Sequence, residues 1–435
     1  MSPSPMPSEL DRPPAAPAAP PRSVRKRLIA TAIVHALVIV GGVGWAAVRY
    51  RAIDNEKTLP PLLPQPLSIT PLYDDPRVVA DDQLERVLWK LRPKLRGRNP
   101  KINNVDHALR FWGLEARFDD PLCLSGVEMR EMLTDHRRLV DVWGDPDTNA
   151  LAVNSLLVTT LHGVSTHVQK GHSTSSHVDH TVATLAEVGT PPDFPLITPD
   201  GETTFQAMLE HARRDFRLNQ IEYEWSALVF ALYMSDHPRW ITREGQWIDF
   251  DRLAERIMRQ DWTRGVCFGN HRLFTLAALV RVDDMRRAEG SPAILTSPAR
   301  ARIIDHLKQA TELLVANQTE EGNWDGNWDG SPANFTTMTV ARDRRILATG
   351  HALEWWAVAP EDVHPPREVI VRAGQWLVRE IDGMSDAQIR SGYTFLTHAG
   401  RSLALWRSRS PAEVVAHMSP ANREAAEASE KPAQP

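Results

Sequence analysis

No charged side chain occurs between Leu28 and Val48. As a helix, this run of about 21 residues rises roughly 30 Å, enough to cross the hydrocarbon core of a bilayer. It is longer than the apolar core of a cleaved signal peptide, about 7 to 15 residues, and no convincing small-x-small cleavage site precedes Arg49. The segment is expected to be an uncleaved membrane anchor. Arg22, Arg25, Lys26 and Arg27 outweigh Arg49 and Arg51, so the positive-inside rule puts the N-terminus in the cytoplasm. The bulk of the chain then lies across the membrane, in the periplasm if the source is bacterial.

The segments around the anchor differ in composition. Residues 1–27 are rich in Pro, Ala and Ser and are expected to be disordered. After the transmembrane span 28–48, six prolines between Pro60 and Pro76 make 49–76 a stiff, extended linker. Residues 77–200 read as an α+β subdomain, 201–408 as a helical domain and 409–435 as a disordered, Ala/Glu/Pro-rich tail. With 42% hydrophobic residues in 435, one large core or two ordinary ones can be buried. A net charge of −5 without a basic patch interleaved with aromatics argues against nucleic acid as a partner. Cys123 and Cys267 form no C-x-x-C pair, and no disulfide is expected between them.

In the subdomain, helices are expected over Asp81–Leu91, Val105–Leu114 and Gly126–Val140, and the aliphatic, β-branched stretch Ala150–Val168 reads as a short hairpin around Gly163. His162, His167, His172, His177 and His180 follow in a Ser/Thr-rich setting. Their spacing of five fits neither a helix face nor a strand face, so they do not all point one way. His177, Asp179 and His180 are close-spaced metal donors; the bland alternative is a solvated loop with Thr174–His177 capping the next helix. Four prolines in 189–199 mark a boundary.

From Thr203 the reading is helical: Thr204–Leu218, Tyr223–Ser235, Asp249–Arg259, His271–Val282, Ala299–Asn317, Arg342–Val358, Arg367–Ile381 and Tyr393–Arg407. Helices apolar all round alternate with helices apolar on one face, which a double ring requires, because inner helices touch neighbours on most sides. Three inner-type helices open alike, on His271, His351 and His398, and a fourth carries Glu222 and Glu224 instead. Equivalent starts converge at one end of such a ring.

After the amphipathic helix that ends at Asn317 stands Gln318-x-x-x-Gly322-x-Trp324. This resembles the Q-W repeat of the squalene cyclase and prenyltransferase superfamily, which folds as an α/α toroid. The resemblance, over about Thr203 to Arg407, implies that Gln318, Gly322 and Trp324 are structural and tie one helix end to the next helix start. Gly245-Gln246-Trp247 reads as a degenerate copy. The Asp-x-Asp-Asp cluster of alkene-protonating cyclases is missing, Val282-Asp283-Asp284 being the nearest match; so are the ionising Asp-Asp-x-x-Asp and the prenyltransferase zinc set, and terpene chemistry is not expected.

The fold class expected is therefore mainly α: a complete or partial α/α toroid, with an N-terminal helical subdomain that includes a β-hairpin, behind a transmembrane helix. His351 and Glu354, at i and i+3 beside Trp355, form a candidate acid–base pair, with Glu224, His271 and His398 as further catalytic candidates. Cys267 and His271, four apart, are candidate Zn²⁺ ligands with His351 as a third. Lanthionine synthetase cyclases, also toroids, hold zinc with Cys and His in this general position, though their Cys-His-Gly signature is absent. Hydrolase or lyase action on a glycan or peptide is the enzymatic expectation. A membrane-tethered binding scaffold, its polar side chains merely capping helices, is the competing class.

Overall fold

The computed structural model describes residues 22–430 except 54–58, 98–99, 146–149, 152–154, 169–172, 243 and 334–339. The expected disorder before Arg22, His172 of the histidine series and the last five tail residues lie outside these.

Helix α1 (Arg22–Ile53) belongs to a unit of its own, residues 1–55. Its part Arg22–Val48 is long and apolar enough to cross a membrane, and its apolar side chains are exposed. Residues 56–435 form the second unit. Its helices are α2 (Asp81–Lys90), α3 (Ile102–Trp112), α4 (Gly126–Thr134), α5 (His136–Trp143), α6 (His180–Glu187), α7 (Gln206–Asp215), α8 (Glu224–Tyr233) and α9 (Phe250–Met258). They continue with α10 (Asn270–Ala288), α11 (Ser297–Asn317), α12 (Ala341–Trp356), α13 (Arg367–Asp382), α14 (Asp386–Ser391), α15 (Tyr393–Trp406), α16 (Pro411–Ala416) and α17 (Pro420–Glu430). The protein is thus mainly helical, with small two-stranded antiparallel sheets.

Two kinds of helix alternate. Every residue of α8 is buried, as is Ile346–Trp356 of α12, whereas α9 buries only Phe250, Leu253, Ala254 and Ile257 on one stripe. Helices buried all round pack in succession: α3 on α6, α6 on α8, α8 on α10, α10 on α12, α12 on α15, and α15 back on α3. The one-faced helices α9, α11 and α13 lie against α10, α10 and α12 respectively. The tightest of these packings is between α12 and α15, where a Cβ on Gly350 would come within 2.9 Å of the Ala399 nitrogen. Only glycine lets these two backbones approach so closely.

The Gln318 motif is a clamp. Gln318 Nε2 donates to the carbonyls of Gly322 and Val369, both at 2.9 Å, joining the end of α11 to the start of α13. Trp324, fully buried, donates from Nε1 to Leu314 O at 2.7 Å, and its backbone N–H bonds Thr349 Oγ1 in α12. Gly322 has φ +101°, and a Cβ there would meet Arg372 O at 2.8 Å. Trp324 thereby satisfies one of the orphan carbonyls in the last turn of α11.

Several expectations are corrected. Gly245-Gln246-Trp247 is not a second clamp: it sits at the turn of a hairpin pairing Arg239–Ile241 with Trp247–Asp249, and Trp247 is exposed. Residues 59–76 are not a free spacer. Leu63 and Leu67 donate to Tyr233 O and Leu232 O at the end of α8, Tyr73 Oη donates to Ala359 O, and Asp75 N to Trp406 O. An extended Pro-rich strand keeps its remaining N–H groups free for such carbonyls. The boundary near residue 200 is the turn of a hairpin pairing Pro195–Thr198 with Gly201–Thr204, and α3 and α6 from before it pack with the later helices. The tail from 409 forms α16 and α17, which pack on α2. Gly126–Val140 is two helices, broken at extended Asp135, which bridges to Ile197. The expected hairpin spans Leu157–Thr160 and Gly163–Thr166, while Val153 at its expected start is outside the described residues.

Gln318→Ala leaves two carbonyls without their donor and is expected to lower unfolding stability by about 1–3 kcal/mol. Trp247→Phe, on the exposed hairpin, should change it by under about 0.5 kcal/mol. Urea denaturation of both variants checks the contrast.

Candidate functional site

The successive buried helices bring six aromatic rings into a closed circuit. Centroid separations are 4.7 Å for His107–His180, 4.6 Å for His180–Trp225, 4.2 Å for Trp225–His271, 4.4 Å for His271–His351, 3.8 Å for His351–His398 and 5.0 Å for His398–His107. Each ring comes from a different helix, α3, α6, α8, α10, α12 and α15 in that order. One helical turn beyond the histidines of α3, α10, α12 and α15 stand Arg110, Phe274, Glu354 and Arg401. A side chain at i+3 lies on the same helix face, so a second, ionic layer stacks on the imidazole layer.

Glu354 is the hub of that second layer. Its Oε1 pairs with Arg110 Nη1 at 3.0 Å and with Arg401 Nη1, and its Oε2 lies 3.1 Å from His398 Nδ1 and 3.0 Å from His351 Nδ1. Both guanidinium groups also reach Glu187: Arg110 Nε at 2.5 Å and Arg401 Nη2 at 3.0 Å. Burial would raise the Glu354 carboxyl, but the guanidinium groups of Arg110 and Arg401 outweigh it and hold it well below the usual carboxylate range. Glu354 is thus a fixed anion, not a proton donor. Burial drives His271 and His398 well below the ordinary imidazole range and lowers His351, so these rings are neutral.

The neutral rings carry unused nitrogens. His351, 1% exposed, has neither ring nitrogen in a well-aligned hydrogen bond, and His398, 2% exposed, has none at Nε2. Buried polar atoms are normally satisfied, so unpaired ones facing a cluster indicate a missing partner. Donor atoms of Cys267, His271 and His351 lie within 4.8 Å of one another, as do those of His351, Glu354 and His398. Cys267 is half-buried, and burial, reinforced by Glu354, Glu222 and Glu224, pushes its thiol up.

The backbone at this cysteine is strained. Cys267 and Phe268 both adopt left-handed conformations, φ 49° and 56°, just before α10. Three side chains hold the loop: Trp328 Nε1 donates to Phe268 O at 2.9 Å, Asn270 Nδ2 to Cys267 O at 3.0 Å, and Arg272 Nη2 to Asp261 O at 2.8 Å. Each such conformation costs on the order of 1–3 kcal/mol and persists only where surroundings enforce it.

The structure therefore brings together His271, His351, His398, Glu354 and Cys267. Glu224, 4% exposed and raised by burial, lies beside Trp225 but outside both donor groups. Glu222 turns to His177, with Nδ1 2.7 Å from its Oε2. The rings of His177 and His180 stay 5.9 Å apart, but with Asp179 they form no donor group among the described residues: Asp179 accepts from Ser226 Oγ, and His180 Nδ1 lies 3.6 Å from Asp106. Val282-Asp283-Asp284 lies within α10, where Asp283 accepts from the backbone of Ile294 and Leu295. Sequence reasoning missed Arg110, Arg401, Glu187 and His107. A signal existed in His107-Ala-Leu-Arg110, His351-Ala-Leu-Glu354 and His398-Ala-Gly-Arg401, one pattern with alternating charge at its fourth position.

Comparison with protein-family models, curated proteins and solved structures finds no match to this chain.

Glu354→Ala leaves two buried guanidinium groups sharing one carboxylate and is expected to cost about 3–5 kcal/mol in urea unfolding. A second outcome concerns Asp106, wholly buried, raised by burial to about 8, with Thr181 Oγ1 donating to it at 3.0 Å. A carboxyl whose folded pKa is raised contributes stability that is full below about pH 4, its unfolded value, and is lost as pH rises toward 8. Asp106→Asn should flatten that part of the pH–stability profile, read from denaturation between pH 5 and pH 8.

Proposed function

We propose that residues 59–430 form an α/α toroid tethered across a membrane by α1, with the N-terminus cytoplasmic, and that its centre is a metal-assisted catalytic site. The closed succession of six buried helices supports the toroid, and the length and polarity of Arg22–Val48 support the tether. The observation that carries the catalytic reading is His351: a buried imidazole with no well-aligned hydrogen bond, whose nitrogens are shared by two donor groups. Cys267, His271 and His351 supply one sulfur and two neutral imidazoles, a set that suits Zn²⁺ and leaves a coordination position open. A bound cation of this kind polarises carbonyl groups and acidifies a bound water.

The protein's own groups do the rest. Glu354, locked by Arg110 and Arg401, fixes the orientation of His398 and His351, as a carboxylate behind a ligand imidazole does. Cys267, half-buried, is the most accessible of these donors and so the side from which a ligand would reach them. The reaction class is hydrolysis or elimination on a polar ligand, a glycan or a peptide.

The near-complete burial of His351, Glu354 and His398 favours a second reading, a purely structural ionic core within a binding scaffold. Metal analysis of the full-length protein, purified in uncharged detergent, separates the two. One zinc per chain is expected, lost in Cys267→Ser and His351→Ala variants that retain their helical circular dichroism. A well-folded, metal-free protein that also takes up no zinc on titration would overturn the catalytic reading.

A further inference from the structure

Glu354 is a fixed anion, and His271, His351 and His398 are at most 2% exposed, so none of them exchanges protons readily with solvent. Hydrolysis or elimination on a polar ligand takes a proton from one atom and delivers it to another. An accessible acid–base group is therefore needed beside the buried donors.

The segment before α6 supplies an imidazole of that kind. The His177 side chain is 26% exposed, and its Nδ1 lies 2.7 Å from Oε2 of Glu222, in the loop before α8. A carboxylate facing Nδ1 keeps the proton on that nitrogen and leaves the lone pair on Nε2. Nε2 makes no hydrogen bond among the described residues. Glu222 has this ring as its one ion-pair partner there, whereas Glu354 is shared by two guanidinium groups and two imidazoles.

The pair is a neighbour of the centre. The His177 ring stands edge-on to that of His180, centroids 5.9 Å apart. It is near enough to act electrostatically on Asp106, His107 and His180, and together with Glu222 on Glu224. Glu222 is in turn one of the charges that push up the thiol of Cys267, the most accessible of the zinc donors. An exposed ion pair contributes little stability, yet this one sits on strained backbone. Glu222 has φ 63°, and Asp179, two residues beyond His177, has φ 56°, both left-handed. Ser175 Oγ donates to His177 O at 2.9 Å and Asp179 accepts from Ser226 Oγ, so the segment carrying His177 is pinned to α8.

We propose that His177 is the acid–base residue of this site and Glu222 the residue that positions it, an assignment that rests on the centre being hydrolytic or eliminating. Nε2 accepts a proton from the attacking water, whose O–H electron pair stays on oxygen and forms the bond to the carbonyl or glycosidic carbon. The imidazolium, its charge balanced by Glu222, returns that proton to the leaving nitrogen or oxygen as its bond to carbon breaks. In an elimination the same nitrogen takes the proton from carbon, and the released electron pair forms the double bond that expels the leaving group.

4-Nitrophenyl acetate is the probe, because its phenolate leaves without being protonated and the base step alone is read. It is given to the full-length protein in uncharged detergent with one equivalent of zinc, and metal content and circular dichroism are measured alongside. His177→Ala and His177→Gln are expected to lower kcat by at least about tenfold, with KM within about twofold and the zinc retained. Added imidazole should restore part of the rate to His177→Ala. Glu222→Gln should lower kcat by at least about threefold, and Glu222→Asp by less. Wild-type turnover in the folded, zinc-loaded His177 variants, or a lost rate that imidazole does not restore, overturns the assignment and leaves the metal-assisted reading standing. Loss of zinc in those variants also overturns it. A wild-type protein that holds no zinc, or holds it and leaves the ester intact, overturns both.

Discussion

The ion network on Glu354 is the interaction on which the centre depends. A carboxylate with 1% exposure survives as an anion only because two guanidinium groups face it, and those groups are themselves held by Glu187. Desolvating four charges costs several kcal/mol each, so the arrangement is a poor way to gain stability compared with apolar packing. What it does achieve is orientation. His351 and His398 stand 3.8 Å apart, their Nδ1 atoms against one oxygen, and their remaining nitrogens are left toward the middle. Arg110 and Arg401 also lie over the face of Phe274, at 4.9 and 5.3 Å from its centroid, which limits how far either can swing.

The loop carrying Cys267 shows the opposite economy. Two consecutive non-glycine residues with positive φ add strain where no tight turn between strands demands it. Trp328, Asn270 and Arg272 occupy the carbonyls in and before this segment, so the strain is offset by side-chain hydrogen bonds from the first turn of α10 and from the loop after α11. Strain enforced in this way, at a sulfur beside a histidine cluster, supports the proposal that this position belongs to the site.

Much of the helical framework was legible because burial imposes periodicity: helices apolar all round read differently from helices with one wet face, and the eight expected after Thr203 form, α10 running on to Ala288. His271, His351, His398 and Glu354 do come together, but not as equivalent helix starts: His271 is the second residue of α10, His398 the sixth of α15 and His351 the eleventh of α12. The partners that fix their charge states could not be read from the sequence. Arg110 and Glu187 lie on α3 and α6, in a stretch whose prolines and hairpins look like another subdomain, and nothing local says that these helices pack against α15 and α8. The hairpin at Pro195–Thr204 was missed although Thr198-Pro-Asp-Gly201 is a turn sequence, because the prolines around it were read as a break. The Pro-rich strand 59–76 was misread for a related reason: composition reports stiffness, not what the freed N–H groups find.

The packing of α15 back on α3 has a kinetic consequence. Phe111 meets the region of Gly400, and His107 meets His398, across nearly three hundred residues of chain. Closing so long a loop costs entropy before any contact rewards it. During synthesis Arg110 emerges long before Glu354 and Arg401, so the ionic layer has no stable partial form on a growing chain. The polar centre is complete only once the last buried helix has met the first, and a chain shortened before α15 carries every donor of the Cys267 group without His398 and Arg401, which border them.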